Sequence, residues 1–308
     1  MLEMIGAEVF KAFKKKRFWV LIILFGIIAP LIQLVTAGFV TSRVSGTVVD
    51  TGDAVAKAIS EIASPYSLAR NGIGGLLPLM LLPLAAVVGI FLVGEERTFK
   101  MWKTILVANP DRMRVLAAKF ITGMLILGSI ILAGILGGVV FGAIAIPFGF
   151  ASSFAGDWGT FFLIAFLQWL VLAAPLALGF LISWLFASPA LAVIGVVVLP
   201  SLIEGILTAS IVFQLNRVSP LNAAFQADRL RQTLEEWTRF FFTPNLNLGQ
   251  RLIGQSLQNS GLGEFIPSNV LPVLEWDKIW WSVGAAGVYG LVFAAIMVWS
   301  FRTRDIHE

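Results

Sequence analysis

"EERTFKMWKTILVANPDRMRVLAAKF", Glu95–Phe120, separates two of the most apolar stretches of the chain. It holds Arg97, Lys100, Lys103, Arg112, Arg114 and Lys119 against only Glu95, Glu96 and Asp111. Lys and Arg in short loops mark the cytoplasmic side of a membrane, so this segment fixes how its apolar flanks cross. The N-terminal segment (Lys11, Lys14, Lys15, Lys16, Arg17) and the tail (Arg302, Arg304) carry the same sign. An even number of crossings puts all three on one side. Both termini and this loop are therefore expected in the cytoplasm, in a multi-pass protein of the cell (inner or plasma) membrane.

Composition supports the same class. Of 308 residues, 58% are hydrophobic and 13% charged, against roughly 25% charged in soluble domains. Cysteine is absent and the one histidine is His307 near the C-terminus, which removes disulfides and thiolate metal sites from consideration. No cofactor or metal is expected in this chain, and nucleic acid is not an expected partner.

Apolar runs of about 18 residues or more read as membrane-crossing helices. Six such runs are present, at roughly 18–40, 74–93, 116–146, 160–187, 191–213 and 279–301. The expected fold is all-α and integral to the membrane, one transmembrane domain over 1–308. The third run exceeds the bilayer and must tilt or project. Ser188-Pro189 reads as an N-cap with proline at the first helical position, giving a tight turn between spans four and five. Lys14–Arg17 before an apolar run also resembles a signal peptide. The run is longer than twenty residues and has no small-x-small site, so an uncleaved span is expected.

Leu2, Ile5, Val9 and Phe13 recur at helical spacing within 1–17, with Lys11, Lys14 and Lys15 elsewhere. This predicts either an elbow helix on the cytoplasmic surface, meeting the lipid bilayer, or a helical flank with no further role. The stretch 214–278 between spans five and six is expected outside, with a helix over Asn222–Phe242. Trp276, Trp280 and Trp281 fit an interfacial belt. In the opening stretch, Phe99, Trp102 and Leu106 share a helical face with Lys100 and Lys103 on another. Asn109-Pro110 ends that helix and starts the next. Such a helix is either an interfacial anchor or a docking element for a partner.

The segment resembles the membrane subunits of ABC-2-type transporters. Their pattern is an acid after span two, approximately Gly-Thr-Trp-Lys, two aliphatics, Pro, a polar residue, Arg, and Lys seven residues later. Glu95 or Glu96, Trp102-Lys103, Ile105-Leu106, Pro110, Arg112 and Lys119 follow it, while Lys100-Met101 stand where Gly-Thr is usual. The nearest type is the bacitracin-resistance and lantibiotic-immunity permease. The close Phe301-Arg302-Thr303-Arg304-Asp305 is also similar. The resemblance implies that the 95–115 loop docks on a separate ATP-binding ABC subunit through Glu95, Glu96, Phe99, Trp102, Lys103, Leu106, Pro110 and Arg112. It further implies an exporter of two permeases, this chain with a second copy or a paralogue, and two ATPases. ATP and magnesium would sit on the partner, because the chain has no G-x-x-x-x-G-K-[ST] phosphate loop and is not expected to be an enzyme.

Glu204 is the one ionisable residue well inside a run, in "VVLPSLIEGIL". Pro200 and Gly205 beside it predict a break in span five. Glu204 either stabilises that break or lines the pathway. Gln168 and Gln33 are further pathway candidates, each also able to bond a neighbouring helix. The competing functions are a secondary transporter or channel that needs no ATPase, and a scaffold of a membrane assembly system. The residues do not name the substrate.

Overall fold

The computed structural model describes residues 1–44, 63–74, 78–98, 111–148, 154, 156–186, 188–218, 233, 236–237, 239–249, 251–252 and 274–303. Among these, secondary structure is helical: α1 Leu2–Phe13, α2 Lys16–Ile23, a π turn Leu24–Ile28, α3 Ala29–Val44, α4 Pro65–Gly74, α5 Pro78–Thr98, α6 Arg112–Ala145, α7 Trp158–Val171, α8 Ala173–Leu185, α9 Pro189–Val218, the short α10 Phe242–Asn245 and α11 Trp276–Thr303. Among the described residues, five stretches are long and apolar enough to cross a membrane: Lys16–Thr36, Arg112–Ala145, Trp158–Leu185, Pro189–Ser210 and Trp276–Phe301.

The second expected span, 74–93, is redrawn. Gly74 ends a separate helix, α4, and α5 starts at Pro78, with a shorter apolar stretch Pro83–Gly94. The chain divides into two compact units, one of Met1–Leu81, Arg114–Leu170 and Asn247–Ile279, the other of Leu82–Met113, Val171–Leu246 and Trp280–Glu308.

In the first unit, α1 ends at Lys14, and Lys15 is extended (ψ 125°) before α2 begins. The Trp19 indole donates to Phe13 O (2.9 Å) across this break, and Phe18 packs edge-on against Phe13. The π turn follows from Pro30. Proline has no N–H to give to Gly26 O, so the ladder slips by one residue and Ala29 N donates to Leu24 O. Gly26 lies at the crossing with α6, where a methyl group added to it would sit 3.2 Å from Ala133 O and one added to Gly137 would meet Gly26 itself.

Another face of α6 carries Gly134, Gly138 and Gly142, four residues apart and so on one side of the helix. Gly134 lies against Gly72, Gly138 against Leu68 and Ala69, and Gly142 against Pro65. The order reverses, so α4 runs antiparallel to α6, backbone on backbone. Small residues permit such approach where no water drives helices together. Tyr66 at the start of α4 packs edge-on against Trp158 (5.3 Å between centroids), and Asp157 caps α7 by accepting from Thr160 N. Hydrogen bonds from the Thr160 side chain, from Thr160 N and from Gly159 N hold the exposed Asp157 carboxyl below its ordinary range.

In the second unit, α5 and α8 meet through Gly89 on Leu176 and Phe180, Gly179 on Ala86, and Gly94 on Ser183. The turn from α8 to α9 follows the sequence: Phe186 is extended, Ser188 O accepts from Ala192 N (3.0 Å), and Pro189 is the first helical residue. Span four, expected over 160–187, is the apolar stretch Trp158–Leu185, made of α7 and α8 with Leu172 turned between them (ψ −10°). Pro175, without an N–H for Val171 O, accounts for the interruption.

The expected break of span five is absent. Helix α9 runs unbroken through Pro200 and Gly205. Proline costs that helix one bond and fixes a φ that is already helical, and Ser201 Oγ donates to Val197 O (3.2 Å) at the same turn. Of the expected 222–242 helix, most lies outside the described residues. Trp276, Trp280 and Trp281 open α11 and are exposed.

The glycine contacts set the first test. Gly138→Val places side-chain atoms inside the α4 backbone and should cost about 1–3 kcal/mol or prevent folding. Gly205→Ala, where nothing lies within 4 Å, should be neutral or slightly stabilising. Thermal survival in detergent, followed by size-exclusion chromatography, reads both; equal behaviour of the two variants contradicts the packing.

Candidate functional site

Phe99, Trp102, Lys103, Leu106 and Pro110 lie outside the described residues, as does Asn109. Their flanks are described. Glu95 and Glu96 belong to the last turns of α5, and Glu96 is 3% exposed. Arg112 opens α6, half-buried, and the N-cap bond comes from Asp111, whose carboxylate accepts from Met113 N at 3.1 Å. Lys119 is wholly buried and pairs with Glu8 of α1 at 3.0 Å. This ties the N-terminal helix to α6 within the first unit. Removing one partner of a buried pair costs about 3–5 kcal/mol, so α1 and α6 are held together firmly. No spacing rule applied to the sequence joins residues 8 and 119, and the pair was not foreseen.

Glu204 lies near the middle of α9, half-buried. Its Oε1 accepts from Thr243 N at 2.8 Å, at the start of α10. A four-residue helix has unpaired N–H groups at its start, and a carboxylate is the strongest acceptor for one. The same segment is held by α11: Tyr289 OH donates to Phe240 O and Trp281 Nε1 donates to Arg239 O (2.9 Å). Phe242 packs edge-on against Tyr289 and Phe293 at 5.2 and 5.5 Å. Asn245 turns its amide inward onto Arg239 O and Phe241 O, both at 2.7 Å. Glu204, Pro200 and Gly205 thus share a helix, and Glu204 alone reaches the segment.

In the first unit, Gln168 does an equivalent job. It is fully buried, and its Oε1 accepts from Leu248 N (2.8 Å) and Gly249 N (3.3 Å). These partners are backbone of the segment before span six. Gln33 is buried in α3, and its Oε1 has no hydrogen-bond partner among the described residues.

Arg70 was not singled out from the sequence. It sits on α4 with 3% of its surface exposed. Its Nη1 donates to Leu252 O (3.4 Å) and its Nη2 to Ser67 Oγ (3.0 Å), while Nε has no partner among the described residues. Burial pulls the guanidinium down to about 10, with Tyr66 acting weakly the other way. A pattern search for charged residues within apolar runs misses it, because Arg70 lies in what reads as a polar connection. Among the described residues no group of three or more His, Asp or Glu is placed to hold a metal ion.

A family model described as ABC-2 family transporter protein matches residues 3–306. No curated protein matches the chain, and no solved structure does.

The Glu204 contact separates structural from transport roles. Glu204→Gln keeps an acceptor for Thr243 N and should leave thermal stability near wild type. Glu204→Leu strands that N–H and should cost about 1–3 kcal/mol. Melting of the purified protein checks both, and a loss of stability in Glu204→Gln equal to that in Glu204→Leu would show that the charge, and not the acceptor, matters.

Proposed function

Because the chain belongs to the ABC-2 family of transporter proteins, we propose that it is the pathway-forming subunit of an exporter driven by a separate ATPase. Membership makes it a multi-pass membrane component of an ABC transporter, itself not the catalytic subunit, with an ATP-binding partner. The match over nearly the whole chain is the observation that carries this reading. The bacitracin-resistance and lantibiotic-immunity type is the proposed subtype, on the Trp102-Lys103 to Lys119 pattern.

The finer parts are proposals of the same kind. Helix α5 is assigned as span two, which makes six spans with both termini cytoplasmic in the cell membrane. Helix α1 is assigned as the elbow, supported by exposed Leu2, Phe10 and Phe13 and by the break at Lys14 and Lys15. The 95–115 loop is the docking element, and Trp102 its anchor. Movement of the motor would pass from it to α5 and α6. A second permease, copy or paralogue, is supported by α9 and α11. Only 17% of the apolar window of each is buried, against 50% for Arg112–Ala145 and 67% for Trp158–Leu185. Gly205, Gly284 and Gly287 on these helices have open space at their α-carbons, which suits close helix contact. A half-exposed Glu204 also fits a protein neighbour better than lipid.

Trp102→Ala tests the docking loop. Truncating a central aromatic anchor commonly costs 2 kcal/mol or more, roughly thirtyfold in affinity. Pull-down of the ATPase subunit should fall accordingly while the membrane subunit still folds. Unchanged pull-down would make Trp102 an interfacial anchor and leave the motor, if present, docked elsewhere.

A further inference from the structure

Helix α1 is held on one side and open on the other. On the inner side, Glu8 pairs with the wholly buried Lys119 of α6 at 3.0 Å, and Ala12, one turn further on, is buried. The pair fixes the roll of α1 about its own axis, because rotation would separate the charges. The outer side then carries Leu2, Gly6, Phe10 and Phe13, at spacings of four, four and three and so in one stripe. Leu2 is 85% exposed and Phe10 62%. Large apolar side chains open to this degree along a stripe mark a surface that another body covers.

The bend after α1 identifies that body. Phe13, Phe18 and Trp19 pack edge to face, and the Trp19 indole bonds Phe13 O, so α1 and α2 keep a fixed angle. Beyond the bend, Trp19, Val20, Ile23 and Ile27 are exposed on Lys16–Thr36, a stretch apolar enough to cross a membrane. The open apolar surface of α1 therefore continues onto a membrane span, where a water-soluble subunit cannot follow it. At the corner stand Lys14, Lys16 and Arg17, all exposed, with Lys15 half-buried. Lys14 Nζ lies over the Phe10 ring, 4.5 Å from its centroid, which puts an ammonium at the rim of the apolar stripe. The sequence has no acidic residue between Glu8 and Asp50. Cations at the rim of an apolar stripe match the boundary between acyl chains and anionic headgroups.

We propose that the corner of α1 and α2 is a binding surface for anionic phospholipid. Leu2, Phe10 and Phe13 enter the acyl region, and Lys14 and Lys16 meet the phosphates. This rests on the assignment of α1 as the elbow and names its partner. Ammonium groups donate charge-assisted hydrogen bonds to phosphate oxygens, and each contributes about fivefold to binding at an anionic surface. Because Glu8 and Lys119 tie α1 to α6, headgroup binding also sets where α1 lies against that helix.

The test uses the purified full-length membrane subunit without its motor, so its outcome is independent of ATPase docking. Melting is followed during titration with dioctanoyl phosphatidylglycerol, dioctanoyl phosphatidylcholine and glycerol phosphate. The phosphatidylglycerol should raise Tm by about 5 °C at a hundredfold excess over Kd, and the other two should not. Lys14→Gln combined with Lys16→Gln, both at exposed positions, should melt like wild type without lipid and move the midpoint of the phosphatidylglycerol titration about thirtyfold upward. The apolar face is read separately. The chain has no cysteine, so a spin label on Gly6→Cys, where nothing lies within 4 Å, reports a single position. In nanodiscs containing phosphatidylglycerol it should collide with oxygen more often than with a water-soluble nickel chelate. No rise with phosphatidylglycerol, an equal rise with phosphatidylcholine or glycerol phosphate, or an equal midpoint in wild type and variant overturns the surface. So does a label open to the nickel chelate, and shielding of that label by added motor subunit would assign the face to a protein instead.

Discussion

A bilayer interior offers no water to hydrogen-bond the main chain, so every peptide group there must find its partner within the protein. Helices meet this requirement by themselves, which is why the apolar stretches are helical. The informative places are those where the chain departs from a helix. Thr243, Leu248 and Gly249 present backbone N–H groups that side chains must answer, and Glu204 and Gln168 do so. The same demand explains the π turn: Pro30 removes one donor, and the ladder closes by slipping instead of opening. At Pro200 the helix tolerates the loss and continues.

Close packing is the second consequence. Lipid tails are as apolar as leucine, so helices associate through shape. Glycine supplies the shape on α6, where three glycines admit α4, and on α8, where Gly179 admits Ala86. Once helices pack at backbone distance, a long side chain between them has no room to reorganise. This is what makes the buried Lys119–Glu8 pair and the Arg70 guanidinium durable features and not accidents of rotamer choice.

The helical class was legible in the sequence because long apolar runs alone encode it. The Ser188-Pro189 turn was legible because its chemistry is local, and so was the family, because the Glu95–Lys119 pattern is contiguous. Contacts between distant residues were not. Glu204 stands out as an acid in an apolar run, but its partner Thr243 lies in a stretch with no periodic signal. Gln168 reads as a link between helices and in fact answers loop backbone. Arg70 was hidden because α4 has polar residues at its start and two glycines near its end, the signature of a connection. Pro200 misled in the opposite sense: proline beside glycine reads as a break, yet α9 continues through both, since the ring fixes a φ that is already helical and costs one bond. The 99–110 loop, which carries most of the docking residues, falls outside the described residues, so its role stands on the sequence pattern and the family alone.

The central claim is that this chain is a pathway worked by a motor it does not contain. The direct measurement is the composition of the complex extracted from native membranes in mild detergent and purified through a tag on this chain. The account predicts a distinct ATP-hydrolysing polypeptide in one-to-one ratio with this chain, and ATPase activity in the same chromatographic peak. A chain that purifies with no such subunit, and that moves solute across proteoliposomes without ATP, would contradict it.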